Sequence, residues 1–208
     1  MESHSKKELF KLLIKEFHSE KLPETFEREL KIPLSINKII SIYGPRRSGK
    51  SFYLYTVIKK LIKDQIPKER IFYLNFEDDR ILPLDVKDLN SFMEAYFELY
   101  PDNKEKEVYL FFDEIQNITN WELFIRRIHD KEKVKIFITG SSSKLLSKEI
   151  ATSLRGRTIS YPLYPLSFNE FLKFNGVELE KNFEYTPQRF QIKKLFETYM
   201  QWGGAFPK

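Results

Sequence analysis

One stretch of the chain has the residue types and spacing of a loop that wraps around phosphate groups. Residues 44–51 read GPRRSGKS, which satisfies G-x-x-x-x-G-K-[ST] at every fixed position. Gly44 and Gly49 let the backbone curl, so that successive main-chain N–H groups can point inward at phosphate oxygens. The helix expected to follow directs its positive end at the same anion. The pattern predicts a triphosphate site in which Lys50 reaches the β- and γ-phosphates and Ser51 ligates Mg²⁺.

The other residues of this loop differ in what they can contribute. Pro45 has no N–H group and cannot be one of the donors, although it belongs to the loop. Ser48 and Phe52 lie within the loop and directly after it, and we include both among the expected nucleotide-binding residues. Arg46 and Arg47 leave two interpretations open: they hold an incoming phosphate or a partner, or they lie solvated at the mouth of the loop.

Two acidic residues follow a short and strongly apolar run. Residues 108–114 read VYLFFDE, and a lone carboxylate at the exit of a buried strand is poorly suited to packing. It is well suited to hold a cation, so we expect Asp113 to bind Mg²⁺ through water and Glu114 to orient and polarise an attacking water. The alternative is a strand that ends in a charged turn. A second acid favours hydrolysis, because a switch that only binds has little use for Glu114.

Three further polar positions lie at expected strand ends, each with two interpretations. The Asn75 amide could restrain Glu114 if their strands are neighbours, or it could face outward or cap its own turn. Thr139 could sense the γ-phosphate through the attacking water, or it could belong to a Ser-rich turn (141–143) that caps the next helix. Arg157 could stabilise charge on the γ-phosphoryl group of a neighbouring subunit, or it could be a basic surface turn.

The elements that must position these residues alternate between strand and helix. Short apolar runs indicate strands, and apolar residues at helical spacing indicate helices. The predicted strands are 38–43, 71–76, 108–112, 134–139 and 158–161. The predicted helices are 5–20, 50–63, 88–100, one that starts at 121, 143–154, 168–174 and one that starts at 186–187. Capping boxes are expected at Ser5–Glu8 and Ser167–Glu170, and Asn120 is expected to cap the helix from 121. Thr186 and Pro187 open the last helix, and Gly203 and Gly204 stop it.

This order predicts an α/β fold. Several strands are apolar on both faces, as a sheet covered by helices on both sides requires, and ligands of such sheets lie at the carboxyl ends of the strands. We therefore expect a three-layer P-loop NTPase with a five-stranded, mostly parallel sheet and a small C-terminal helical segment. The expected division is an N-terminal helical segment 1–30, a core 31–165 and a helical segment 166–208.

Composition excludes several classes of protein. The 208 residues are 41% hydrophobic and 31% charged with a net charge of +5, which permits nucleic-acid contact but is equally typical of solvated Lys-rich faces. The absence of cysteine excludes disulfides, thiolate metal ligands and thiol nucleophiles. No apolar run approaches the ~18 residues of a membrane span, so a cytoplasmic protein is expected. The three histidines share no spacing, and we expect no metal site built from protein ligands alone.

Several motifs stand in one order and together resemble the AAA-like ATPases of archaea and bacteria. They are GPRRSGKS, YLNFEDD, YLFFDEIQNITNWELFIRRI, FITGSSS, LRGR and YPLSFNEF, and the resemblance runs from about Leu30 to Pro207. It implies phosphate-loop roles for Lys50 and Ser51, magnesium and water roles for Asp113 and Glu114, a first sensor at 139–141 and an arginine finger at Arg157. In that group a helical or winged-helix part follows the core, often with a nuclease-like region. The resemblance implies that WGGAFPK corresponds to the middle of longer relatives.

The leading hypothesis is Mg²⁺-dependent ATP hydrolysis by in-line attack of water on the γ-phosphorus. Turnover is expected to be slow without a partner, because the arginine must come from another subunit of a homo-oligomer. A second hypothesis is a nucleotide-gated switch in which hydrolysis only resets the assembly. A third is a DNA-associated scaffold with structural nucleotide. A Ras-like GTPase is disfavoured, because Asn37-Lys38 is followed by two isoleucines instead of the guanine-reading x-Asp.

Overall fold

A five-stranded parallel sheet forms the centre of the part of the chain that the structure describes. The computed structural model describes residues 2–141 and 152–202, without the side chains of residues 2–5, 141 and 202. The five strands are β1 (Ile39–Gly44), β2 (Ile71–Asn75), β3 (Val108–Asp113), β4 (Val134–Ser141) and β5 (Thr158–Pro162). Their order across the sheet is β2-β3-β4-β1-β5, and every neighbouring pair is parallel. The predicted α/β fold is confirmed.

Helices connect the strands and extend the chain beyond β5. The α-helices in the described residues are α1 (Glu2–Ser19), α2 (Lys50–Lys63), α3 (Asp88–Leu99), α4 (Trp121–Lys131), α5 (Phe168–Phe174) and α6 (Gln188–Trp202). Short 3-10 turns lie at Lys68–Arg70, Asp79–Ile81, Pro101–Glu105, Ile115–Asn117 and Phe183–Tyr185. None of the described helices is both long and apolar enough to cross a bilayer.

The sheet buries both of its faces, as its apolar strands predict. Alternate residues of one strand point to opposite faces, so Leu110 and Phe112 pack with α1, α3 and α4, whereas Phe111 packs with α2. On the α2 face, Phe111 stacks on Phe137 of the neighbouring strand with ring centroids 4.5 Å apart. The structure is therefore a three-layer sandwich whose strands all end at one edge.

Helix α1 begins earlier than predicted. It starts at Glu2, so Ser5 lies within the helix and the expected Ser5–Glu8 capping box is wrong. The apolar face of α1 is buried against α3 and β2, with Phe10 and Ile14 in the main core. Lys7 and Lys11 both bind Glu98 of α3 at the rim of this contact.

Two other predicted helix ends need comment. Asn120 does precede α4, but its φ of 60° is left-handed and its side chain makes no capping hydrogen bond, so the predicted cap is wrong. The predicted helix 143–154 falls mostly on residues 142–151, which lie outside the described part of the chain, as do Gly203 and Gly204.

An irregular segment, residues 20–38, joins α1 to β1 and is here called the strap. Its main-chain carbonyl groups are held by side chains of the core, because few strand or helix partners are within reach. Tyr53 of α2 donates to the Leu30 carbonyl at 3.0 Å, and Lys135 of β4 donates to the Ser35 and Ile36 carbonyls. The strap is thus attached both to α2, through Tyr53, and to the sheet, through Lys135.

The C-terminal helices α5 and α6 pack mainly on each other. The predicted Ser167–Glu170 capping box is present at the start of α5, with both of its hydrogen bonds made. Three buried residues, Leu172, Val177 and Ile192, form a small separate core between the two helices. Large apolar side chains on this segment remain exposed: Phe174, Leu179, Tyr185, Phe190, Phe196 and Met200.

Candidate functional site

The predicted phosphate loop lies between the end of β1 and the start of α2, at the carboxyl edge of the sheet. Gly49 has a φ of 87° and Arg47 a φ of 65°, so the loop makes the curl that the sequence predicts. Gly44 is needed for a different reason. A Cβ at Gly44 would lie 2.0 Å from the carbonyl oxygen of Leu163, in the chain that leaves β5.

Lys50 lies at the centre of the loop, with only 5% of its surface exposed. Its ammonium is 3.3 Å from the carbonyl oxygens of Gly44 and Pro45, and 3.4 Å from a carboxylate oxygen of Glu114. These contacts are long for a buried cation, which is best satisfied by short, charge-assisted partners. Ser48 Oγ is buried nearby and has no hydrogen-bond partner among the described residues. The interior of the loop therefore fits a bound anion.

A cavity of about 1240 Å³ opens beside the loop. One side is basic and includes Lys50 with the exposed Arg46 and Arg47. The other side is aromatic, with Phe26 of the strap and Phe174 of α5 in edge-to-face contact at 5.6 Å between centroids. Phe52, Tyr53, Ser51, Gly49, Glu24, Thr25, Arg28, Glu77 and Glu114 complete the lining. A ligand with an anionic end and a flat ring would match both sides.

Asp113 is the last residue of β3 and is fully buried. Tyr73 of β2 donates to its Oδ2 at 2.7 Å, and the Thr139 hydroxyl donates to its Oδ1. Burial raises the pKa of the Tyr73 phenol, and the Asp113 carboxylate raises it further, so Tyr73 stays protonated and donates. Each carboxylate oxygen keeps a second lone pair, so the buried acid can still accept a hydrogen bond from a metal-bound water.

Thr139 also fixes the second acid. Its hydroxyl oxygen accepts a hydrogen bond from the main-chain N–H of Glu114 at 3.1 Å, while its proton goes to Asp113. The predicted sensor hydroxyl therefore contacts the Asp113 carboxylate and the main chain of Glu114. Sensing of a γ-phosphate by Thr139 stays a prediction, and it would require one of these bonds to rearrange.

The Glu114 carboxylate is held on two sides. Glu114 has a left-handed φ of 52°, and Gln116 donates to its Oε2 at 2.5 Å while Lys50 faces its Oε1. Asn75 lies opposite Asp113 in the sheet, but its Oδ1 accepts from the Glu77 N–H. Of the two interpretations of Asn75, the self-capped turn is the one observed, and Gln116 makes the amide contact with Glu114. The sequence analysis missed Gln116, although its position two residues after Glu114 was a usable signal.

Arg157 lies away from the site of its own subunit. Its carbonyl accepts from the N–H of Ile39, the first residue of β1, which places it at the edge of the sheet opposite to the phosphate loop. Its guanidinium makes a bidentate pair with Asp130 at 2.8 and 2.9 Å, and this contact raises the pKa of Arg157. Delivery of Arg157 to a neighbouring subunit stays a prediction.

The residues of this edge fit a magnesium-bound triphosphate. Mg²⁺ is usually held by one or two protein oxygens together with substrate phosphates and water. Ser51 is the second residue of α2, directly after the buried Lys50, and Asp113 presents a carboxylate at the end of β3. Among the residues that the structure describes, the Ser48 hydroxyl has no partner and the Lys50 ammonium has only long contacts, which indicates that the loop is shaped for an anion.

Another functional candidate, Arg28, was missed by the sequence analysis. Arg28 is in the strap and is 5% exposed, yet its guanidinium contacts the phosphate loop, the chain after β5 and Glu170 of α5. The sequence predicted Glu170 only as part of the capping box of α5. No local pattern links this residue to an arginine 142 residues away.

Comparisons with known proteins identify the family of this chain. A family model described as an AAA domain matches residues 36–172. The chain is 41% identical over 188 residues to the protein MJ1544 of Methanocaldococcus jannaschii, covering 90% of this chain and 40% of the relative. It is 38% identical over 170 residues to a protein of Haemophilus influenzae, covering 82% and 39%. The chain thus spans about two fifths of the curated relatives it matches.

A solved structure supports the fold. The Saccharomyces cerevisiae Hsp104–ADP complex is similar over 79% of this chain and 26% of that chain, with a TM-score of 0.54 at 16% identity. This likeness supports the fold alone.

The family model covers more than half of the sequence and includes the phosphate loop, the acid pair and Arg157. The chain therefore belongs to the AAA domain family of nucleotide-binding P-loop ATPases.

Proposed function

We propose that this chain binds ATP with Mg²⁺ and hydrolyses it by in-line attack of water on the γ-phosphorus. One observation carries the proposal: the Lys50 ammonium lies between the phosphate-loop carbonyls and the Glu114 carboxylate. The cation that would hold the terminal phosphates and the acid that would polarise water therefore meet at one point. Family membership supports nucleotide binding, and the step of hydrolysis is our inference from the acid pair.

Each residue of the edge has a distinct task in this proposal. The loop amides and Lys50 bind the phosphate oxygens, in place of the long contacts that Lys50 makes now. Asp113 and Ser51 would hold Mg²⁺, which would supply positive charge to neutralise the phosphate groups. Tyr73 and Thr139 keep Asp113 oriented. Glu114 accepts a hydrogen bond from the attacking water and so raises its nucleophilicity.

The cavity supports a nucleotide as the ligand rather than inorganic phosphate alone. Its aromatic side offers Phe26, Phe52 and Phe174 to a flat ring. Aromatic stacking on a base is worth about 1–3 kcal/mol, and it discriminates little between bases because every base has a π-face. We propose adenine as the base because the family is one of ATPases, and not because a polar group reads it.

A nucleotide-gated switch is the second candidate, and one observation favours it. The Glu114 carboxylate is engaged by Gln116 and by the Lys50 ammonium, and these contacts would weaken it as a base for water until they change. Turnover by the isolated subunit would then be slow. Arg157, directed away from its own site, would complete the site of a neighbouring subunit after leaving Asp130.

Phosphate release by the purified chain, measured with Mg²⁺ and ATP and with or without DNA, separates these functions. Glu114→Gln is expected to lower the rate about 10²- to 10⁴-fold while ATP binding remains, because only the acid is lost. Lys50→Ala is expected to abolish ATP binding. Glu105→Gln is the matched control, since Glu105 is an exposed acid paired with Lys133 and lies on the far side of the chain from the loop.

The outcomes are distinct. Tight ATP binding without turnover in any condition supports the nucleotide-gated switch. DNA binding that does not depend on nucleotide supports the DNA-associated scaffold. A Lys50→Ala protein that binds ATP as tightly as the wild type would contradict every role given to the phosphate loop.

A further inference from the structure

A buried arginine joins three separate parts of the chain beside the phosphate loop. Arg28 Nη1 donates to the Ser48 carbonyl at 2.9 Å, and Nη2 donates to the Tyr164 carbonyl at 2.7 Å. Its Nε and Nη2 also bind the two carboxylate oxygens of Glu170 at 2.8 and 3.1 Å. The planar guanidinium thus contacts the loop, the chain after β5 and the first turn of α5.

The contact with Ser48 bears directly on phosphate binding. In a planar trans peptide the carbonyl oxygen and the following N–H point in opposite directions. By holding the Ser48 carbonyl away from the loop interior, Arg28 directs the Gly49 N–H toward it. The N–H groups at this point are the ones that a phosphate would accept from. Arg28 therefore fixes the orientation of a candidate donor that it does not itself touch.

The contact with Glu170 bears on α5. The Glu170 carboxylate also accepts from the N–H groups of Glu29 at 2.7 Å and of Ser167 at 2.9 Å. Burial alone would raise the pKa of Glu170, but the bonds from Arg28 and these N–H groups more than offset it, so the pKa lies below its ordinary value. Glu170 is therefore ionised and ties the start of α5 to both the strap and Arg28.

We propose that Arg28 is a positioning residue that couples nucleotide binding at the phosphate loop to the packing of α5 through Glu170. The inference rests on the proposed nucleotide binding and adds a second site that responds to it. Coupling is reciprocal: if ordered α5 helps to hold the loop in its binding form, bound nucleotide must stabilise α5 by the same factor. The small core under α5 makes this helix the part most able to respond.

A stabilising role and a coupling role can be separated by a double substitution. Breaking a buried ion pair from one side leaves an uncompensated charge, whereas replacing both partners often leaves stability nearly unchanged. Arg28→Met with Glu170→Gln removes both charges and keeps an N3 residue that can complete the capping box. If the double variant is poorly folded by circular dichroism, Arg28→Lys alone serves, since it keeps a positive charge beside Glu170 but loses the planar fork that also reaches the Ser48 carbonyl.

The experiment measures Mg·ATPγS affinity and amide hydrogen exchange of α5 in the same proteins. In the wild type, ATPγS is expected to slow exchange in the first turn of α5. The double variant is expected to bind ATPγS about 5- to 150-fold more weakly and to show no slowing there. Lys135→Met is the matched control: Lys135 anchors the same strap through the Ser35 and Ile36 carbonyls but does not contact the loop.

The failures are distinguishable. If the wild type does not bind ATPγS, the proposed function fails and the coupling fails with it. If the wild type binds and the double variant matches it in affinity and in α5 protection, only the coupling is overturned. The same holds if Lys135→Met weakens binding as much, because strap attachment would then explain the effect. Protection that survives in the double variant would indicate direct contact of the ligand with Phe174 instead.

Discussion

Two regions of the protein face the same cavity, and they are built very differently. The carboxyl edge of the sheet presents the phosphate loop and the acid pair on strands whose side chains are buried on both faces. The α5–α6 pair presents Phe174 from a segment whose own core is Leu172, Val177 and Ile192. One wall of the cavity is thus held by the main core of the molecule, and the other by a few contacts.

The difference in packing suggests that the two regions have different roles. Free energies of local opening range from near zero in thinly packed segments to the full stability of the domain in core strands. The sheet edge can therefore hold Asp113, Thr139 and Tyr73 in fixed geometry, as the proposed hydrolysis requires. The α5–α6 pair is fixed at the start of α5 by the Arg28–Glu170 contact, but its own core is small, so the rest of the pair can shift at lower cost than the sheet edge. This suits a segment that reports on the occupant of the cavity.

Two glycines test the contrast with the largest expected effect. Gly44→Ala would place a methyl group 2.0 Å from the Leu163 carbonyl oxygen, so β1, β5 or the loop must move. We expect a loss of more than about 3 kcal/mol of unfolding free energy, because the clash is with backbone in a packed core. Thermal and urea unfolding followed by circular dichroism would measure this loss.

Gly176→Ala is the counterpart in the other region. Gly176 follows α5 with a φ of 72° and has open space around its Cβ position. We expect a loss of about 1 kcal/mol, from backbone strain alone. Equal losses for the two glycines would show that the sheet edge is no more tightly constrained than the C-terminal helices.

The second prediction concerns the hydrogen bond that orients the buried acid. Tyr73→Phe leaves Asp113 Oδ2 without its phenolic donor, and a hydrogen bond to a charged group is worth about 1.5–3 kcal/mol. We expect the Mg²⁺ concentration needed for half-maximal ATP binding to rise about tenfold to hundredfold, with Mg²⁺-free nucleotide affinity unchanged. Isothermal titration with and without Mg²⁺ would measure both.

Tyr109→Phe is the matched control for Tyr73. Tyr109 is buried near the start of β3 and donates to Glu107 at 2.8 Å, at the opposite edge of the sheet from Asp113. This variant should bind Mg²⁺ and ATP as the wild type does. A rise in the Mg²⁺ requirement of Tyr109→Phe as large as that of Tyr73→Phe would point to a general loss of packing.

The smallest expected effect is a difference in pH dependence between α1, which packs on the main core, and the α5 region. Burial lowers the pKa of His18 below 6.5, despite a hydrogen bond to the Ile71 carbonyl that raises it. The folded protein therefore keeps His18 neutral while the unfolded chain binds a proton, so stability falls as pH drops below about 6.5. We expect a decrease in the melting temperature of about 2 to 4 °C between about pH 7.5 and pH 5.5.

The α5 region should respond at lower pH. The pKa of Glu170 is lowered from 4.5, so its contribution is fully present above that value and is lost as pH falls through the lower folded value. His18→Gln should flatten the first response and leave the second. Hydrogen exchange that shows α1 and α5 loosening over the same pH range would contradict this assignment.

Much of the sheet edge could be predicted from the sequence because its signals are local. The loop 44–51 is contiguous, Asp113 and Glu114 end an apolar run, and strands of five to eight residues follow from apolar periodicity. The predicted edge residues Lys50, Asp113, Glu114 and Thr139 do lie together in the structure.

The contacts that join distant segments could not be predicted in this way. Tyr73 looked like one more apolar strand residue, and only the β2–β3 pairing directs its hydroxyl to Asp113, 40 residues later. Arg28 stood in a charged, irregular stretch, where a solvated side chain is the ordinary expectation. Ser5 and Asn120 show the opposite error, since both are common capping residues whose backbone conformation or position prevents the cap.

The crowding at Gly44 separates two kinds of sequence constraint within a single motif. The side chain is forbidden there by the neighbouring chain at Leu163, whether or not a ligand is ever present. A homologue that no longer binds nucleotides could accept substitutions at Lys50 and Ser51. It would still need a glycine at position 44, because a side chain there would clash with the neighbouring backbone. Among diverged homologues with this fold, a glycine at this position would therefore indicate only the shared fold, whereas the lysine would indicate that phosphate binding is retained.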